Sequence, residues 1–184
     1  MKCKIILTAF AVTSLIFSNA PAFAELFSVS VGVPVSHTLT GKNVEDEEIK
    51  SDGASGVFIQ IGVPVLPGIG IDSYNTKIKD SEIYLGTTIY NLYYLLPIPV
   101  INLTVGLGVG STELQCEGCS IYYKKGSANQ WYTSLGMSII TLFDLHLSYR
   151  SVSSKIEVKA GDDDAGEKND LSGNVMGLGI GFNF

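Results

Sequence analysis

Residues 171–184, LSGNVMGLGIGFNF, constrain the fold more than any other stretch. Met176, Leu178, Ile180, Phe182 and Phe184 fall on one side of an extended chain, and Gly173, Val175, Gly177, Gly179, Gly181 and Asn183 on the other. A period of two is that of a β-strand. One side carries large apolar groups. The other carries almost no side chain and no charge between Gly173 and Asn183. A soluble sheet buries its apolar side and turns charge to water. This stretch suits a transmembrane barrel strand, whose bulky side meets lipid and whose small or polar side lines a crowded lumen.

The N-terminus reads as a secretory leader. Lys2 and Lys4 precede an apolar run, Ile5 to Phe17, and Ala22-Phe23-Ala24 is a small-x-small cleavage site before Glu25. The run is too short to span a bilayer as a helix, which needs about 20 residues. The expected division is 1–24 signal peptide, cut between Ala24 and Glu25, and 25–184 barrel. Loss of Lys2 and Lys4 moves the formal charge from −6 to −8. An acidic exported chain is a poor partner for nucleic acid. No later stretch is long and apolar enough for a transmembrane helix.

Seven further strands are expected upstream of the terminal one. The first, about Leu26–Ser36, sets Phe27, Val29, Val31, Val33 and Val35 against Ser28, Ser30, Gly32 and Pro34. The second, about Ser55–Val65, sets Val57, Ile59, Ile61 and Val63 against Gly56, Phe58, Gln60 and Gly62. The third, Ile69–Lys77, alternates only at its start, where Ile69 and Ile71 flank Gly70. The fourth, Glu82–Leu95, is ambiguous in phase. Ile83, Leu85, Thr87 and Ile89 facing lipid puts Tyr84 and Tyr90 inside and requires a β-bulge near Asn91. The fifth alternates most regularly: Ile101, Leu103, Val105, Leu107 and Val109 against Asn102, Thr104, Gly106, Gly108 and Gly110. The sixth, Asn129–Ile140, and the seventh, Leu145–Val158, point Gln130, Tyr132, His146, Ser148 and Arg150 inward. Polar loops alternate with short turns between these strands. Loops on one side and tight turns on the other mark an outer-membrane barrel. Aromatics gather at both levels, with Phe27, Tyr93, Tyr94, Phe143 and Phe182 near the turns and Tyr84, Trp131, Tyr132 and Tyr149 nearer the loops.

The final Gly179-x-x-Phe182-x-Phe184 resembles the C-terminal assembly signal of bacterial outer-membrane barrels. With the leader and the eight-strand pattern, the whole chain looks like the small eight-stranded barrels of the OmpA-transmembrane and OmpX group. The resemblance implies an all-β, antiparallel up-and-down barrel in the outer membrane of a Gram-negative bacterium. It implies a monomer inserted by the barrel-assembly machinery and surrounded by outer-membrane lipid and lipopolysaccharide. The expected role is structural or surface-interacting, in membrane integrity or adhesion, through loops whose ligand the sequence does not name. The alternatives are a narrow porin for small solutes and a lipid A-modifying enzyme. Nothing in the chain calls for a cofactor or a metal.

An eight-stranded barrel is filled by side chains, and each strand faces the one four places on. Arg150, the only arginine, therefore faces Asp72 across the lumen, with Gln60 near both. A buried guanidinium requires a partner, so an ion pair or hydrogen-bond network is expected there. Cys116 and Cys119 flank Glu117-Gly118 in the third loop, about Ser111–Gly126. In an exported protein the first reading is a disulfide; the others are a metal site, which lacks further ligands, and a redox pair, which lacks its βαβ setting. The acidic runs Glu45–Glu48 and Asp162–Asp164 read as solvated loop, with divalent-cation bridging to lipopolysaccharide phosphate as the sharper alternative. Of the two histidines, His146 points inward near the turn end. His37 lies at the outer rim beside Ser36, on the opposite face from it, so a nucleophile–base pair is not expected.

Overall fold

The computed structural model describes residues 27–63, 66–96, 98, 101–140, 143–159 and 165–183. The proposed leader with its Ala24–Glu25 junction, the run Asp162–Asp164 and the terminal Phe184 lie outside them. The strands are β1 (Ser28–Leu39), β2 (Ser51–Gly62), β3 (Gly68–Ile78), β4 (Tyr84–Leu96), β5 (Ile101–Gln115), β6 (Gly126–Ile140), β7 (Phe143–Glu157), β8 (Lys168–Asp170) and β9 (Gly173–Asn183). One short helix, α1 (Cys119–Tyr122), interrupts the loop between β5 and β6. Sequential antiparallel pairing runs from β1 to β7, and β9 pairs with both β7 and β1. The sheet therefore closes on itself as a barrel of eight long strands. The three-residue β8 only lengthens the outer end of β7.

The periods of two are realised as a greasy exterior and a filled interior. Val31, Leu107, Leu147, Met176 and Ile180 are exposed on the outside of the cylinder. Ladders between neighbouring strands pair the backbone groups of the wall, as a lipid environment demands; between β1 and β2 the ladder spans Ser28–Gly32 against Phe58–Gly62 at the turn end. No helix of the described residues is long and apolar enough to cross a membrane; strands do the crossing here. β5, β6 and β7 have 15 residues each. A crossing needs about 9–11 tilted residues, so these strands rise above the apolar belt at the loop end. That explains why Ser73 and Asn75 face outward on β3 and blur its alternation: they sit on the projecting half.

Three sequence expectations change. First, β4 is inverted. Leu85, Thr87, Ile89, Asn91 and Tyr93 are buried, while Tyr84, Tyr90 and Leu92 are exposed outside. Its register with β3 and β5 is continuous through Asn91, so the expected bulge is absent there. Second, a register shift does occur in β1, between Pro34 and Ser36. Val35 becomes the extra residue, and the parity of everything after it flips. His37 and Leu39 therefore face inward and are buried. Third, the wall is taller than expected around the third loop: β5 runs to Gln115 and β6 starts at Gly126.

The glycine face of β9 does receive large side chains, but not Tyr84 or Tyr90. A Cβ on Gly177 would lie 2.6 Å from the Phe58 ring, and one on Gly173 would lie 2.7 Å from the His37 imidazole. The bulk comes from β1, β2 and β7, whose His146 imidazole would lie 2.3 Å from a Cβ on Gly181. Aromatics mark two levels on the outside, with Phe143 and Phe182 in edge contact at 5.0 Å near the turns and Trp131 and Tyr149 5.8 Å apart nearer the loops.

Candidate functional site

The interior is layered, and the layers follow from which residue each inward position supplies. In the middle, Arg150 of β7 and Asp72 of β3 meet across the lumen. Arg150 Nε donates to Asp72 Oδ2 at 2.9 Å, and Nη2 approaches Oδ1 at 3.4 Å. Arg150 is 2% exposed and Asp72 0%. The guanidinium also donates through Nη1 to Ser148 Oγ. Its Cζ lies 3.6 Å from the centroid of the Phe58 ring and 5.1 Å from that of Tyr132. A planar fork meeting a carboxylate, with an aromatic face against it, suits arginine and not lysine.

The carboxylate has a second donor. Gln130 Nε2 of β6 reaches Asp72 Oδ2 at 2.7 Å and Asn91 Oδ1 of β4 at 2.9 Å. Below this, Gln60 of β2 donates from Nε2 to the Tyr132 hydroxyl at 2.9 Å and accepts from Ser30 Oγ at 3.2 Å. Gln60 thus bonds Tyr132, not the ion pair. Polar side chains from β1, β2, β3, β4, β6 and β7 converge on this plug. Toward the turns remain two small cavities, of about 20 and 30 Å³, lined in common by Ser30, Gln60 and His146. Each is on the scale of one or two waters.

Above the plug the interior turns apolar. Phe58, Tyr74, Ile89, Ala128, Val152 and Val175 form one buried cluster. Leu39, Leu85, Ile156 and Leu171 form a second beneath the loops, with Ile49, Leu114 and Tyr123 packed against it. Between them His37 Nδ1 and Thr76 Oγ1 are 2.7 Å apart, and Thr87 and Thr112 hydroxyls 3.0 Å. His37 therefore touches a threonine inside the barrel and faces away from the lipid layer that a lipid-modifying base would have to reach.

The loops are bound to one another. The Thr40 amide donates to the Ser172 carbonyl at 2.8 Å, and Asp170 to Lys42 at 2.9 Å. The Val44 amide reaches Asn169 Oδ1 at 3.1 Å. In the acidic run, Asn43 Oδ1 accepts from the amides of Glu45 and Glu47, and Lys42 pairs with Asp46 at 2.8 Å. Lys42 holds its proton more tightly because Asp46 bonds and attracts it. Cys116 and Cys119 form a disulfide leading into α1, with Cα atoms 5.2 Å apart. No group of three or more metal-binding side chains occurs among the described residues.

Asn91, Gln130, Tyr132 and Phe58 escaped the sequence reading as members of the plug. One signal was available. Asn91 is polar in an otherwise apolar stretch, and placing it inward fixes the phase of β4 without a bulge.

No family model matches the chain, and no curated protein does. Solved structures do. Neisserial surface protein A is similar over 86% of this chain and 96% of its own, with a TM-score of 0.61 at 9% identity. The outer membrane protein W of E. coli is similar over 88% of this chain and 98% of its own, with a TM-score of 0.56 at 13% identity. AlkL, an outer membrane protein solved in lipid bilayers, gives 0.55 at 12% identity over 90% of this chain and 93% of its own. The fold is that of the small eight-stranded outer-membrane barrels. The wide apolar belt is the surface by which such a barrel sits in lipid.

Proposed function

We propose that this chain is a monomeric, plugged barrel of the Gram-negative outer membrane. Its role is structural or surface-interacting, in membrane integrity or adhesion, exercised through the outer loops. The observation that carries this reading is the contrast between an apolar exterior and an interior occupied by the Arg150–Asp72–Gln130 plug and the Leu39–Leu85–Ile156–Leu171 cap. A solute path would have to breach both layers. The tethering of the first outer loop to the Asn169–Ser172 segment supports a rigid presenting surface over a mobile gate. Residues 1–24 are proposed as the export leader, and Gly179, Phe182 and Phe184 as the signal read by the assembly machinery.

The test is planar-bilayer conductance of folded protein, verified by heat-modifiable gel mobility. The reading expects no ohmic conductance above the bare bilayer. Steady single-channel steps would favour the narrow porin instead. Lipid mass spectrometry of cells with and without the protein would reveal a lipid A modification, the enzymatic alternative, of which this reading expects none.

A further inference from the structure

The outer rim carries a concentration of positive charge that the acidic composition hides. Lys124 and Lys125 enter β6, Lys155 lies near the end of β7 and Lys168 opens β8; all four line one recess of about 510 Å³. The pairing of β6 with β7 and of β7 with β8 brings these distant lysines together: Ser127 is registered with Lys155, and Glu157 with Lys168. Small polar side chains, among them Asn129 and Ser153, form the wall of the recess. Its acidic neighbours only partly balance it. Lys124 pairs with Glu157 at 2.6 Å, Lys125 with Glu113 at 3.5 Å and Lys155 with Asp170 at 3.9 Å, while these lysines stay 52–59% exposed. Lys168 is exposed and lies opposite Glu157, whose carboxylate it helps to stabilise. Exposed pairs of this kind are worth little and exchange readily for a stronger anion.

The recess has a definite height. Trp131 and Tyr149, in contact on the outside of β6 and β7, mark where hydrocarbon gives way to headgroups. Every outward position beyond them on those strands is polar: Ser127 and Asn129 on β6, and Ser151, Ser153, Lys155 and Glu157 on β7. Lys155 lies six residues past Tyr149, roughly 20 Å along a tilted strand and about 15 Å higher. On the lipid side of β6, Trp131 lines an apolar groove of about 500 Å³ with Leu92, Val105 and Leu107. Charge above and grease below fit an amphiphile whose anionic headgroup stands over its acyl chains.

We propose that the Lys124–Lys125–Lys155–Lys168 recess binds the phosphorylated saccharide headgroup of an outer-leaflet glycolipid. The site rests on the membrane orientation given above. It requires no change in the barrel, only replacement of weak carboxylate partners by phosphate oxygens.

The test uses full-length protein in nanodiscs of zwitterionic lipid. Rough lipopolysaccharide, the same material after dephosphorylation, and inorganic phosphate are titrated separately. Binding is read from fluorescence of Trp131, the only tryptophan, and from lipid retained in native mass spectrometry. The variant carries Lys124→Gln, Lys125→Gln, Lys155→Gln and Lys168→Gln. Its control carries Lys42→Gln, Lys50→Gln, Lys77→Gln and Lys79→Gln, with the same change in net charge. The phosphorylated glycolipid should bind saturably, and the recess variant should weaken it by roughly a hundredfold, with the control within about threefold of wild type. Equal binding of the dephosphorylated glycolipid, equal losses in both variants, or full displacement by inorganic phosphate would overturn the assignment. Heat-modifiable mobility confirms that each variant is folded. A wild-type protein that stays soluble without detergent would sink the membrane reading itself, whereas a folded, detergent-requiring barrel without selective binding sinks only the site.

Discussion

The middle and the outer end of the lumen solve the same packing problem by different chemistry. In the middle, Arg150, Asp72, Gln130 and Asn91 fill the cylinder with directional bonds. At the outer end, Leu39, Leu85, Ile156 and Leu171 fill it with aliphatic bulk. Directional bonding specifies partners and punishes the loss of one. Aliphatic packing specifies volume and tolerates exchange. The plug should therefore be sensitive to chemical identity and the cap to size.

Breaking the plug from one side gives the largest expected effect. Asp72→Ala leaves Arg150 buried without its carboxylate and should cost about 3–5 kcal/mol, measured by urea unfolding in lipid vesicles. The double variant Arg150→Met/Asp72→Leu should lose much less than the sum of the two single changes. Strictly additive losses would rule out coupling. In the cap, Ile156→Ala should cost about 2–4 kcal/mol through the cavity it opens. The sharper comparison is conservative: Leu85→Met should cost less than about 1.5 kcal/mol, whereas Arg150→Lys, which loses the fork geometry, should cost more. A smaller effect is expected at Gly106, where an added Cβ would fall 2.2 Å from the Tyr132 ring; Gly106→Ala should cost about 1–3 kcal/mol by overpacking the wall of the plug. Smallest is removal of the loop disulfide. Cys116→Ser with Cys119→Ser frees a very short loop and should cost at most about 2 kcal/mol, confined to the segment around α1, with the transition of the barrel unmoved.

The same contrast explains what could be read from the chain. β5 and β9 are legible because their inner faces are mostly glycines and small polar residues, with Val175 the exception on β9, so one phase keeps most of the bulk out of the lumen. β4 is not, because the cap and the upper cluster need aliphatics inside. Leu85 and Ile89 are drawn inward, and Tyr84 and Tyr90 take the lipid side. Where the interior is apolar, hydrophobicity no longer distinguishes inside from outside. His37 faces inward for another reason: a single extra residue at Val35 reverses parity, and nothing local in Val33-Pro34-Val35-Ser36 specifies on which side of the proline the ladder slips. The Arg150–Asp72 pair lay within reach of the sequence because a lone buried cation must find a carboxylate. Gln130 and Asn91 as partners of that pair did not, because neutral amides carry no such demand; Asn91 signalled only the phase of β4. The lysine recess was hidden by distance along the chain, since β8 becomes part of the wall only when it pairs with the end of β7.

Bulky side chains outside meet hydrocarbon while the inner face is sealed, and β4, where both faces carry large apolar groups, tests that division most severely. A nitroxide scan across residues 84–96 in lipid vesicles, one spin label at a time in a cysteine-free background, measures it directly. Oxygen accessibility should peak at positions 84, 90 and 92 and fall to a minimum at 85, 89 and 91, with labels at the minima also shielded from a water-soluble relaxant. Maxima at 85 and 89, or the absence of any two-residue period, would contradict the orientation of the strand and the filled barrel built on it.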